Sequence, residues 1–189
     1  MKLLDRIKEW MGIRRLLRDL PQDRKPIARS IALARKVAIV YVVEDEASHN
    51  HVRNYVKRLK EELGLSNIMA LGYSDQKVMP HYLHAKLNFE AICQKDLNWY
   101  RIPQGNTVQN FMAEEYEIII DLTLEDRLPI QYILAKSRAR FKVGRWSESN
   151  KKILDMMIDM AGSRSLPQLI QQVHHYLLMV NSKPEPSLN

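Results

Sequence analysis

Apolar and polar residues change their spacing repeatedly along this chain, and each change marks an element. VAIVYVV (37–43) is largely β-branched and apolar at every position, which predicts a strand buried on both faces. EASHNHVRNYVKRLKEELG (46–64) follows, with Val52, Tyr55, Val56, Leu59 and Leu63 at helical spacing and Gly64 as the stop. NIMALGY (67–73) predicts a second strand. The pattern is weakest over 74–114, where it suggests short strands near 86–90 and 97–101 and a helix over 107–113. YEIIIDL (116–122) is the clearest strand. RLPIQYILAKS is a helix with Pro129 in its first turn, where a missing N–H costs little. ARFKVG (139–144) is a strand, and ILDMMIDM (153–160) is taken as another from its alternating context. SLPQLIQQVHHYLLMV closes the pattern as a helix with Ser165 at its N-cap, and residues 182–189 form a frayed tail.

Strand–helix–strand repetition with connections of this length implies a mainly parallel sheet covered by helices on both faces. The expected fold is α/β, a three-layer Rossmann-like domain over residues 37–181. Ahead of it, residues 1–36 read as a basic helical extension. Leu3, Leu4, Ile7, Trp10 and Met11 share one helical face, whereas Ile13, Leu16, Leu17 and Leu20 share another. The shift falls at Gly12, a poor helix former, and predicts a kink there. Pro21 closes the second piece, and a short basic helix is expected over 27–35.

Charge sharpens this division. Residues 1–36 hold eleven Lys/Arg and four Asp/Glu, and the remaining residues hold eighteen of each, so the whole net charge of +7 lies in the leading segment. Such a segment suits an anionic partner, because phosphate contacts from Lys and Arg supply sequence-independent affinity. Packing of its apolar stripe on its own domain is the plainer alternative. A membrane surface would also attract a basic amphipathic helix, but a break at Gly12 would split its apolar face. No apolar run approaches the roughly 20 residues of a membrane-spanning helix. Cys93 is the lone cysteine, which excludes an internal disulfide; with no visible signal-peptide pattern, a cytoplasmic setting is expected.

The stretch YEIIIDLTLEDRLPIQYILAKSRARFKVGR, with RKVAIVYVV and ILDMMID, resembles an uncharacterised bacterial domain family of unknown function. That resemblance implies a Rossmann-like fold and no activity. The same thirty residues are similar to a segment in the N-terminal half of heptosyltransferase-type glycosyltransferases. The Gly-rich turn after the first strand and the C-terminal nucleotide-sugar domain of those enzymes are absent here, and no catalytic residue carries over.

Ligands of open α/β sheets gather beyond the carboxyl ends of the strands. There this chain offers an acidic group: Glu44, Asp45, Asp75 and Asp121. Carboxylate oxygens suit a hard cation, but the plainer reading is that Asp45 and its neighbour Glu46 begin a helix, where their charge suits the dipole. The turn after the first strand has no glycine, which argues against a dinucleotide site, and a Walker loop is missing. The histidines lack zinc spacing, so no metal site is assigned, and no serine elbow is present. No cofactor is indicated.

A second basic cluster, KSRARFKVGRWSESNKK (136–152), holds seven bases and one acid. On a short strand near an edge, Arg138, Arg140, Lys142 and Arg145 would form an exposed stripe ending in Trp146, suited to phosphate backbone and base stacking. Charges guarding a solvated edge strand are the plain alternative. With Arg14, Arg15, Arg18, Arg24 and Lys25 of the leading segment, this cluster makes the candidate anion surface. The reading is a non-catalytic binding module for a polyanion such as RNA. Two rivals stay open: a sugar-phosphate or nucleotide-sugar protein with its site at the carboxyl edge, where Lys142 or Arg145 would contact the anion, and a protein-interaction domain.

Overall fold

A computed structural model of the chain describes residues 2–18, 20, 24–83, 87–162 and 164–181. Among them, six strands form one sheet: β1 Lys36–Val42, β2 Asn67–Tyr73, β3 Phe89–Ile92, β4 Ile118–Asp121, β5 Phe141–Arg145 and β6 Met156–Ile158. Its order is β3-β2-β1-β4-β5-β6, and every neighbouring pair is parallel. That is the doubly wound Rossmann order, and its topological switch point lies between β1 and β4. The helices are α1 Lys2–Arg18, α2 Glu46–Leu63, α3 Asn106–Ala113, α4 Leu128–Lys136 and α5 Leu166–Met179.

The period of two along β1 divides the interior. Val37, Ile39, Tyr41 and Val43 face α2 and α5 through Val52, Val56, Leu59, Leu169 and Val173. Ala38 and Val40 face the other layer, built from α3 and α4 with Val108, Phe111, Ile130, Ile133 and Leu134. Fully burying such a side chain is worth about 1.5–3 kcal/mol, so the two faces together supply the main cohesion. Because β1 is covered on both sides, its uninterrupted apolar run is what the fold requires.

Four expectations are corrected. First, α1 runs unbroken through Gly12. A Cβ there would stand 2.4 Å from the Tyr100 carbonyl oxygen and 2.5 Å from a Leu128 methyl. The glycine therefore serves close approach to the body instead of a kink, and Leu16, 4% exposed, joins the α3/α4 core. Second, residues 27–35 form only one 3₁₀ turn, Ile31–Leu33; Ile27 instead donates to the Arg140 carbonyl (3.0 Å). Third, residues 97–101 are a tight loop. The Asn98 side chain accepts the backbone N–H groups of Tyr100 and Ile102, and Arg101 takes a positive φ of 61°. Fourth, β5 lies between β4 and β6 and is not an edge strand. The tail at 182–189 and the helix stop at Pro21 lie outside the described residues.

Candidate anion-binding surface and carboxyl edge

Basic side chains separated by more than a hundred residues meet at the entry to β5. The Arg24 guanidinium donates twice to the Asp155 carboxylate (2.7 and 2.5 Å), and also to the carbonyls of Ala139 and Arg140 (both 3.2 Å). Arg24 thus pins the joint after α1 along the start of β5. Arg138, Arg140 and Lys25 are exposed around this junction. Lys142 is not. It is 1% exposed and belongs to no surface stripe. Its ammonium donates to the carbonyls of Leu134 and Ala135, the otherwise unpaired acceptors at the end of α4. Burial, and then repulsion from Arg24, pull the Lys142 amine down to about 7, against the attraction of Asp155. Since Lys142 lies near the amino end of β5, its assignment to the carboxyl edge is also corrected.

A second basic feature follows α1. Trp10, Met11, Arg14, Arg15, Arg18 and Tyr100 line a groove of about 470 Å³. The Arg14 guanidinium stacks over the Trp10 ring at 4.7 Å, a spacing set by the i, i+4 geometry of the helix. Trp10 stays 56% exposed despite that contact, and Lys8 sits over the Trp99 ring at 5.6 Å. Ile7, Ile13 and Leu17 are exposed beside these cations. Sequence reasoning named the arginines but left out Trp10 and Tyr100. The four-residue spacing of Trp10 and Arg14 was the available signal for the first; Tyr100 gave none.

The carboxyl edge does not gather its acids into one centre. Asp45 accepts the Ser48 N–H at 2.7 Å while the Ser48 hydroxyl accepts the Asp45 N–H, a reciprocal cap on α2. Glu44 is exposed and its N–H points to the same hydroxyl. Asp75 accepts from Tyr73 Oη (2.8 Å) and Gln94 Nε2 (2.9 Å). Burial pushes Asp75 up, but those two hydrogen bonds and the fields of Arg101 and Arg127 outweigh it and hold the carboxyl below its usual range. Among the described residues, no three His, Cys, Asp or Glu side chains stand close enough to hold a metal ion.

Asp121 differs from the other three. It is 1% exposed at the end of β4, next to the switch point, and accepts the Thr123 N–H at 3.0 Å. Burial pushes its carboxyl up to about 7, against the Thr123 hydrogen bonds and the field of Arg145. Gly144 makes its space, because a Cβ at 144 would stand 2.7 Å from the Asp121 Cβ. Beyond β5, Arg145 donates to Asp126 (2.7 Å) and to the Trp146 carbonyl (2.9 Å). Arg145, Trp146, Asp126, Asp159 and Arg164 share a cleft of about 510 Å³. Ser74, at the end of β2, is fully buried, and its Oγ has no hydrogen-bond partner among the described residues.

Comparison with known proteins adds a family and no activity. A model for a family of unknown function, DUF6913, matches residues 11–180, so the chain belongs to that family. No curated protein matches. Among solved structures, the chain is similar to E. coli heptosyltransferase WaaC with ADP at 11% identity and a TM-score of 0.46. The match covers 80% of this chain and 49% of that one, so the chain spans about half the length of the structure it resembles. Among the described residues, no helix is long and apolar enough to cross a membrane.

Proposed function

We propose that this member of the DUF6913 family is a binding module that contacts a polyanion, RNA foremost, through a basic layer at residues 1–36 carried on a Rossmann-like body at 37–181. The observation carrying the reading is the α1 groove, where Arg14, Arg15 and Arg18 share one wall with Trp10 and Tyr100. Guanidinium groups suit phosphate, and an exposed indole offers a stacking face that tolerates any base. Lys25, Arg138 and Arg140, exposed around the entry of β5, would add a second basic area, which Arg24 braces through Asp155. The close fit of Gly12 on Tyr100 and Leu128 supports a fixed α1, which would present its cations without an ordering cost on binding.

The test is binding of single-stranded RNA across a salt series. Affinity should fall steeply with salt, and each arginine replaced by glutamate at 14, 15 or 18 should flatten the slope by about one unit. Trp10→Ala should weaken binding by about 1–3 kcal/mol with little change in slope. Absence of binding at low salt would reject the reading. Binding to anionic vesicles without binding to RNA would replace the nucleic acid by a lipid surface, for which the exposed Ile7, Ile13 and Leu17 would be the anchors.

One observation favours a second reading, a sugar-phosphate or nucleotide-sugar site at the carboxyl edge. Asp121, with its carboxyl near neutrality, stands at the switch point where such folds hold ligands. A melting temperature raised by nucleotide sugars, and unaffected by Arg14→Glu, would support it.

A further inference from the structure

The cavity behind the entry to β5 is distinct from the α1 groove and from the carboxyl edge. It measures about 280 Å³, just under the roughly 300 Å³ at which pockets for drug-sized ligands begin, so it suits a small group. Arg24, Lys142, Lys151 and Lys152 line it, and among the described residues Asp155 is the one acid on its walls. That acid already accepts three hydrogen bonds. One oxygen takes Arg24, and the other takes both Arg24 and the Lys142 backbone N–H at 2.7 Å. Lys151 reaches outward to Glu148 (2.7 Å). Lys152 has no ion-pair partner among the described residues. Lys142 carries three N–H donors and uses two on the α4 carbonyls. One donor of a buried ammonium is therefore unspent at a cavity whose described walls carry several cations and one carboxylate that Arg24 already pairs. Asp155 offsets the burial of this charge only in part, and a bound anion would relieve more of the cost.

We propose that this cavity is a binding site for a single phosphate group, held by Lys142 and Lys152 with Arg24 as its fixed neighbour. The site does not depend on the RNA reading. The phosphate can arrive as a free ion or small phosphate ester, or as one backbone phosphate of a polynucleotide, and the chemistry of the contact is the same.

The experiment uses the full chain, with inorganic phosphate, a short single-stranded RNA, and chloride at matched ionic strength as the control. Inorganic phosphate should bind saturably by calorimetry and raise the melting temperature beyond chloride. Lys152→Glu, at an exposed position, should keep the fold and weaken binding on the order of tenfold or more. Lys142→Met should abolish binding; if that variant does not fold, Lys152→Glu carries the test alone. Arg14→Glu with Arg15→Glu and Arg18→Glu should leave phosphate binding intact, which separates this site from the α1 groove. If only RNA binds, and Lys152→Glu weakens it, the phosphate is a backbone phosphate. Failure of both probes, or equal binding by wild type and Lys152→Glu, overturns the proposal.

Discussion

Near its two opposite ends the sheet buries a carboxyl and an amine, side chains of opposite sign. Asp121 closes β4 at the carboxyl end, and Lys142 opens β5 at the amino end. Lys142 pairs in register with Ile119, two residues before Asp121, so both side chains lie on the face that packs α4. Each is met by backbone dipoles of the complementary sense. The Thr123 N–H points at the carboxylate, and the last carbonyls of α4 accept from the ammonium. Neither set of dipoles matches the hydration lost, so the acid rises and the base falls until both titrate near neutrality. The comparison teaches that burial, and not the sign of the charge, governs both ends.

The largest expected effect breaks the comparison at Asp121. Unfolded, it ionises near 3.8; folded, near 7. Between those values the folded chain keeps a proton that the unfolded chain has lost. Stability should therefore fall as pH rises through that window and level off above it. The span corresponds to about 4 kcal/mol at most. Asp121→Asn should flatten that limb in urea titrations run from pH 4 to 8. Lys142 should act on the other side. Between about 7 and 10.5 the unfolded chain holds a proton that the folded chain has released, so stability should rise with pH there. Lys142→Met should remove this rise, and saturating phosphate should shift it to higher pH if the cavity binds as proposed.

Smaller effects sharpen the contrast. Gly144→Ala places a methyl 2.7 Å from Asp121 Cβ and 3.0 Å from a Leu154 methyl, so thermal unfolding should show a loss of about 1–3 kcal/mol. Gly12→Ala should cost a similar amount and loosen α1, read as faster amide exchange in that helix, because the clash there is with a backbone carbonyl. Ser74→Ala should change stability least and can raise it slightly, since the hydroxyl it removes makes no hydrogen bond among the described residues.

Local pattern carried most of the architecture. A run such as VAIVYVV has one stable use in a chain that alternates with amphipathic helices, because every second residue must be covered on each face. Hence β1, β2, β4 and β5, the helix start at Asp45 and the Rossmann-like three-layer class were legible in advance, whereas the expected strand at 97–101 was not borne out. The candidate surface was legible only as a list of cations. The sequence showed that the charge excess sits in residues 1–36 and that a second cluster follows residue 135; it did not show that Arg24 joins the two through Asp155 and the β5 carbonyls. It also suggested an exposed Lys142 and a kinked Gly12. Periodicity reports which side of an element is apolar, and so the sequence by itself determined the layers. Whether a particular Lys is solvated or caps a helix end, and whether a glycine bends a helix or admits a neighbour, depends on atoms far away in the chain. Those contacts exist only once the layers close, so tertiary structure alone decided them.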